Sequence, residues 1–343
     1  MEQKHIENHY VPKMYLKNWS NDGSTIWMYR RIVSNKNVEL WKKQSIEKTA
    51  SVPNLYSHIK QDEITDEFEN WLNAEVESPA KPVIEKVILG EELTKEELLP
   101  LLRYTAAQIV RTPAYFINHY EGWKKEIPVV LEATMKETSE KIMEAKRKGK
   151  SFTVKNSVKD DLIPIKLSFE PNAVESGTIY LTAETAIGRK IWLSHIRRMV
   201  DKNIDILRKH KWTIIEASSN VEWPTSDDPV ICLGYRDKND YDFQGGIAQK
   251  NAEIIFPLSP KHLLYTRVGS RSSVEDFQRN EWFSETVKKF IFEHGYLCIY
   301  SKNKQKYMFK NCPRSIDSIE YSRIQKMLCE WHNDNMELEM KFE

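Results

Sequence analysis

Apolar and polar positions fall into three regimes along the chain. The first is short: "NDGS" at 21–24 is a turn signal, and "TIWMYRRIV" beyond it reads as a strand. Residues 13–57 are therefore expected to form a small β-containing lead-in that ends near "VPNLYS". From Asp62 the period becomes helical, with Ile64, Phe68, Trp71, Leu72, Val76, Val83 and Val87 at roughly helical spacing. Pro79 and Pro82 are expected to kink or split that helix. A second helix starts where Thr94 and Glu97 match a capping box, and a third, rich in Lys and Glu, covers 121–149 and stops at Gly149. Residues 151–178 read as irregular, and a long helix is expected from about Thr182 to His210, with Ile187, Ile191, Ile196, Val200 and Leu207 facing inward.

Beyond it the period shortens. "WTIIEAS", "PVICLGY", "AEIIFPL", "HLLYTRV" and "GYLCIYS" are β-rich runs divided by turn residues, with helices expected at about 281–294 and 315–332. A β lead-in, then helices, then a mostly antiparallel sheet with inserted helices is an α+β order. It is assigned to one domain over 1–343, with sub-regions 1–60, 61–210 and 211–343.

Charge changes this picture little. Lys and Arg number 51 against 50 Asp and Glu, a net charge of +1, so no global field draws the chain to nucleic acid or to a membrane. Hydrophobic residues make up 40%, which suits a packed globular protein, and no apolar run is long enough for a membrane span. Cys232, Cys298, Cys312 and Cys329 are widely spaced without a C-x-x-C pair, as reduced thiols are, and "MEQKHIENHY" has no hydrophobic signal core. A cytoplasmic location is expected. G-x-G-x-x-G, P-loop and G-x-S-x-G motifs are all missing from the sequence.

Four motifs stand out in order: "HYVPKMYLKNW" (9–19), "QIVRTP" (108–113), "TSDDPV" (225–230) and "FPLSPKHLL" (256–264). Together they resemble domain-of-unknown-function family 4238, a mainly bacterial group, and the resemblance covers most of the chain. His9, Tyr10, Pro12, Tyr15, Gln108, Arg111, Ser226, Asp227, Pro229 and Pro257 match its pattern, and "NLYS" around Tyr56 also fits. The resemblance implies no activity; it marks which positions to weigh.

In the "QIVRTP" helix, Leu98, Leu99, Leu102, Ala106, Ile109 and Phe116 fall on one side, and Tyr104, Gln108, Arg111 and Tyr115 form a stripe nearly opposite. A stripe of two phenols, an amide and a guanidinium is expected to face a cavity or another protein layer rather than bulk water. Arg111 suits bidentate capture of a carboxylate or phosphate; the alternative is an Arg held by structural hydrogen bonds to carbonyls. In "TSDDPV", Ser226, Asp227 and Asp228 are expected in a turn because Pro229 disfavours helix before it. The two adjacent carboxylates point in opposite directions, so at most one enters a given site. His5 and His9 lack the adjacent Glu of a zinc-protease helix, which leaves His9 as a single general acid or base, or as a packed structural histidine.

Two functional readings result. In the first, His9, Gln108, Arg111 and one of Asp227 or Asp228 are catalytic, Tyr10, Tyr104, Tyr115 and Ser226 line the substrate, and a divalent metal on the carboxylate is allowed. That inventory suits a phosphoester hydrolase, a nuclease or nucleotide hydrolase, acting on a small-molecule or nucleic-acid phosphate in a bacterial defence or toxin setting. In the second, the same residues are a structural network within a non-catalytic binding or sensor module. Metal identity and oligomeric state are not set by the sequence.

Overall fold

The computed structural model describes residues 7–60, 63–149, 165–170, 180–237, 239–269, 277–305 and 313–341. His5 and Cys312 lie outside these residues, as do 151–164 and 171–179. Within them the chain is α+β, with long helices and several antiparallel sheets.

The β-rich runs form as their alternation predicts. Thr213–Glu216, His262–Arg267, Glu253–Pro257, Ile231–Asp237 and Asp240–Asp242 pair in that order as a five-stranded antiparallel sheet. Every residue of Glu253–Pro257 is buried, and Pro257 sits at the strand's last position, where its missing N–H is tolerated. A second, four-stranded sheet runs Thr225–Ser226, Cys298–Ser301, Thr25–Arg30, Trp41–Ser45. The lead-in thus completes a sheet with strands from the far end of the chain, and Ser226 lies in a strand opposite Ile299.

The helices follow their capping signals. Thr94 and Glu97 close the capping box at the start of Lys95–Val110, and Asn280 caps Glu281–His294 by accepting from the Phe283 N–H. Pro113–Arg147 is one helix of 35 residues, joining the end of the "QIVRTP" segment to the Lys/Glu-rich stretch. Two expectations need correction. Residues 165–170 and 180–185 are strands paired as a hairpin, so the long helix begins at Arg189 and runs to Leu207; the β-branched and aromatic content of "TIYLTAET" outweighs its place in a helical pattern. Pro79 and Pro82 do not split their helix either, since both lie inside Ser78–Ile88. It continues over Glu67–Leu72 and Ser78–Ile88, joined by a π-helical turn at Asn73–Glu77 just before the prolines. The last helix, Ser318–Met340, extends eight residues past its expected end.

The largest core gathers Tyr15, Trp19, Tyr56, Tyr104, Trp192 and Phe256 from every part of the chain. Because the Lys95–Val110 helix sits inside this core, its polar stripe is buried: Tyr104, Gln108 and Arg111 are fully inaccessible. Leu99, assigned to the apolar side, is instead 47% exposed.

Candidate functional site

The four motifs converge. Tyr15 donates its phenol to the Pro257 carbonyl at 2.6 Å and lies 2.7 Å from Thr225 Oγ1. Asn18 donates to the Leu258 carbonyl and Trp19 to the Trp223 carbonyl, at 2.9 and 2.8 Å. Thr112 donates to Asp228 Oδ1 at 3.2 Å. Segments more than 200 residues apart are therefore stitched by buried hydrogen bonds.

Arg111 is the hub. Its Nη1 donates to Glu77 Oε1 at 2.8 Å, its Nη2 to the His9 carbonyl at 2.7 Å, and its Nε to the Tyr56 hydroxyl at 3.4 Å. Tyr56 in turn donates to the Arg111 carbonyl at 2.8 Å. Each guanidinium nitrogen is thus committed inside the protein. Beside it, Gln108 donates weakly to the Tyr10 carbonyl at 3.4 Å, while Gln108 Oε1 and Tyr104 Oη are buried without hydrogen-bond partners among the described residues. Tyr10 shares a hydrogen bond with the Tyr300 phenol, and burial pushes its ionisation well above the ordinary range.

His9 ends the Glu7–His9 strand, which pairs with Ser51–Pro53. Its Nδ1 and Nε2 lie 3.2 and 3.3 Å from the carbonyl oxygens of Glu7 and Ile46. Burial, then the nearby Lys13 ammonium, lowers its pKa and favours the neutral ring.

The two aspartates take different partners. Asp227 is buried and accepts the Tyr296 and Leu297 N–H groups at 2.9 and 2.7 Å, fixing the turn before Cys298–Ser301. Burial raises its pKa to about 6 against the opposing backbone hydrogen bonds. Asp228 Oδ2 lies 3.3 Å from His294 Nε2, in ion-pair range without hydrogen-bond alignment. Ser226 donates its hydroxyl to the Asp228 carbonyl at 2.7 Å. Tyr115 stands apart from these groups, its hydroxyl 2.8 Å from His195 Nε2. Burial, then Arg198, lowers the His195 pKa to about 4.

Beside this network lies an open cavity of about 660 Å³ between the 67–88 helix and residues 7–18, lined by His9, Glu69, Asn73, Glu77, Lys17 and Lys81 among others. Sequence reasoning passed over its acidic wall. Glu69 accepts from Asn8 Nδ2 at 2.7 Å, and burial, reinforced by the Glu77 charge, raises its pKa to about 7. Glu77 and Glu69 line the same cavity because of the π-helical turn. Eight residues of regular α-helix would rotate it roughly 80° away, and the extra residue of a π turn returns it to within roughly 20°. The signal was the four-residue spacing of Glu69, Asn73, Glu77, Lys81 and Glu85, all of which line the cavity.

Among the described residues no group of three or more His, Cys, Asp or Glu is placed to hold a metal ion, and no helix is long and apolar enough to cross a membrane. Cys232, Cys298 and Cys329 are free thiols. Neither the curated proteins nor the solved structures contain a match to the chain. The model of one family, described as Protein of unknown function (DUF4238), matches residues 7–316, the span that holds all four motifs, and the chain belongs to that family.

Proposed function

We propose that this chain is a binding or sensor module whose motif residues form a structural network, and whose ligand enters the cavity beside His9, Glu69 and Glu77. One observation carries the reading: all three Arg111 nitrogens donate to groups of the protein itself, whereas the neighbouring cavity is open. With each nitrogen engaged and the side chain fully inaccessible, this guanidinium presents no open fork to a phosphate in the cavity. Its work is to clamp the N-terminal segment, through the His9 carbonyl, onto the helices. The setting we assign is a bacterial cytoplasm, with a small charged molecule as ligand.

Phosphoester hydrolysis is the second reading, favoured by the carboxyl pair in the cavity. Glu69, with its pKa raised to about 7, would be the proton donor, and Glu77, paired with Arg111 at 2.8 Å, the acceptor. Here a phosphate would sit near the cavity's lysines, with or without a divalent metal, on a small molecule or a nucleic acid.

Arg111→Ala tests the clamp, and Glu69→Gln tests the chemistry. Removing one partner of a buried ion pair costs about 3–5 kcal/mol. The binding reading therefore expects melting to fall by roughly 4–7 °C. Turnover by the parent chain on a panel of phosphoesters, with Mg²⁺ or Mn²⁺ supplied, that Glu69→Gln abolishes without lowering the melting point would establish the hydrolase instead.

A further inference from the structure

A strand at the edge of a sheet presents backbone groups to any chain that can pair with them, and the edges here are closed in different ways. Trp41–Ser45 carries Lys42 and Lys43, both exposed, and Asp240–Asp242 is short and bears a carboxylate at each end. Thr213–Glu216, the other edge of the five-stranded sheet, is uncharged over its first three residues. Its pairing with His262–Arg267 sets which of its groups face outward. Ala217 donates to the Lys261 carbonyl at 2.9 Å, so by alternation Thr213 and Ile215 turn their backbone groups inward, and Ile214 and Glu216 turn theirs to the open side. Two consecutive residues take up that side. Gln278 Nε2 donates to the Ile214 carbonyl at 2.7 Å, its Oε1 accepts from the Glu216 N–H at 2.9 Å, and the Arg279 N–H donates to the Glu216 carbonyl at 2.9 Å. A carboxamide has a donor side and an acceptor side, as a peptide group does, so Gln278 stands where the backbone of a further strand would stand.

This strap is held weakly. Gln278 and Arg279 are exposed, and Arg279 has φ +53°, in the left-handed region that a residue with a side chain rarely adopts. Arg279 Nη2 lies 2.6 Å from Glu216 Oε2, but with side chains 74% and 39% exposed that ion pair is screened by solvent. On the Ile214 face a cavity of about 560 Å³, lined by Leu98, Trp212, Ile214 and Leu264, leaves room along the edge. We propose that Gln278 and Arg279 form a strap that closes the Thr213–Glu216 edge, and that the partner it excludes is the same strand of a second copy. The edge is complementary to itself. Laid antiparallel about Ile215, Ile214 faces Glu216 of the other copy, and every outward N–H and C=O of both strands finds a partner. Each Glu216 lies directly opposite an isoleucine rather than a second carboxylate, so like charges do not confront each other. Release of the strap exchanges a side-chain amide for a backbone one and frees Arg279 from its left-handed conformation.

Sedimentation of the full chain at up to about 0.5 mM tests this. Gln278→Ala should self-associate about tenfold or more tightly than the parent. Ile214→Pro added to Gln278→Ala should undo that association, because proline lacks the outward N–H and is tolerated at an edge. Amide exchange over residues 212–217 gives the signature of pairing: fast in dilute Gln278→Ala, and slowed as its concentration rises. Gln278→Met, of similar length but without the amide, serves where the alanine variant does not fold. The proposal is overturned if the Gln278 variants sediment as the parent does, or if their exchange over 212–217 is independent of concentration. It is overturned too if Ile214→Pro leaves the association of Gln278→Ala in place, or if Ile214→Pro dissociates the parent itself, whose edge would then already be paired.

Discussion

A carboxyl group at Glu69 that holds its proton to about pH 7 makes the protein's stability depend on pH in a definite direction. Between about 4.5 and 7 the folded chain keeps that proton while the unfolded chain gives it up. The folded state then binds more protons, so stability falls as pH rises through this window and is level above it, a change of about 3 kcal/mol for this group. Glu69→Gln should flatten that part of the profile, which urea midpoints measured from pH 4.5 to 8 would reveal; an unaltered slope would show that Glu69 ionises normally. His195 works in the opposite sense. Its pKa of about 4 means that acid below the ordinary histidine range charges the unfolded chain first and weakens the fold. Single positions such as Arg111, Gln108 and Asp227 were legible in the sequence as unusual. Their partners were not, because Glu77 lies 34 positions from Arg111 and the Tyr296 N–H 69 positions from Asp227, and no local pattern encodes such pairings.

Elements were more legible than partners. Strand alternation located all five β-rich runs after position 211, and the Thr94 capping box located a helix start, because both signals are local. Thr94→Ala removes the side-chain acceptor for the Glu97 N–H at 3.2 Å. It should cost about 1 kcal/mol. Thermal melting should fall by roughly 1–2 °C, and a shift of zero would mean that the cap does not stabilise the helix start. The hairpin of Ile165–Glu170 and Tyr180–Thr185 and the π turn at Asn73–Glu77 escaped the periodic reading. A π turn costs poorer hydrogen-bond geometry, and its return here is that Glu69 and Glu77 line one cavity. Such a distortion is invisible to a pattern search that assumes one fixed period.

At the scale of the whole molecule, the Ser318–Met340 helix lies beyond the 7–316 span of the family model, yet it finishes a buried ion pair. Arg189, fully inaccessible, donates to both Glu339 oxygens at 2.9 and 2.7 Å, and Glu339 also accepts the Ile59 N–H at 2.9 Å. Glu339→Ala would strand that guanidinium at a cost of about 3–5 kcal/mol. Melting should drop by roughly 4–7 °C, with amide exchange rising first across the last helix; unchanged melting would mean that water replaces the carboxylate freely.

The four-stranded sheet has a consequence in time. Arg30 pairs with Cys298 and Trp27 with Ser301, so the Thr25–Arg30 strand leaves the ribosome long before its central neighbour has been made. At 5–20 residues per second that wait is on the order of 10–50 s. During it the strand has only Trp41–Ser45 to pair with, and one of its edges stays open to other chains. Synthesis rate and chaperone supply, rather than final stability, would then govern how much of this protein reaches its native form.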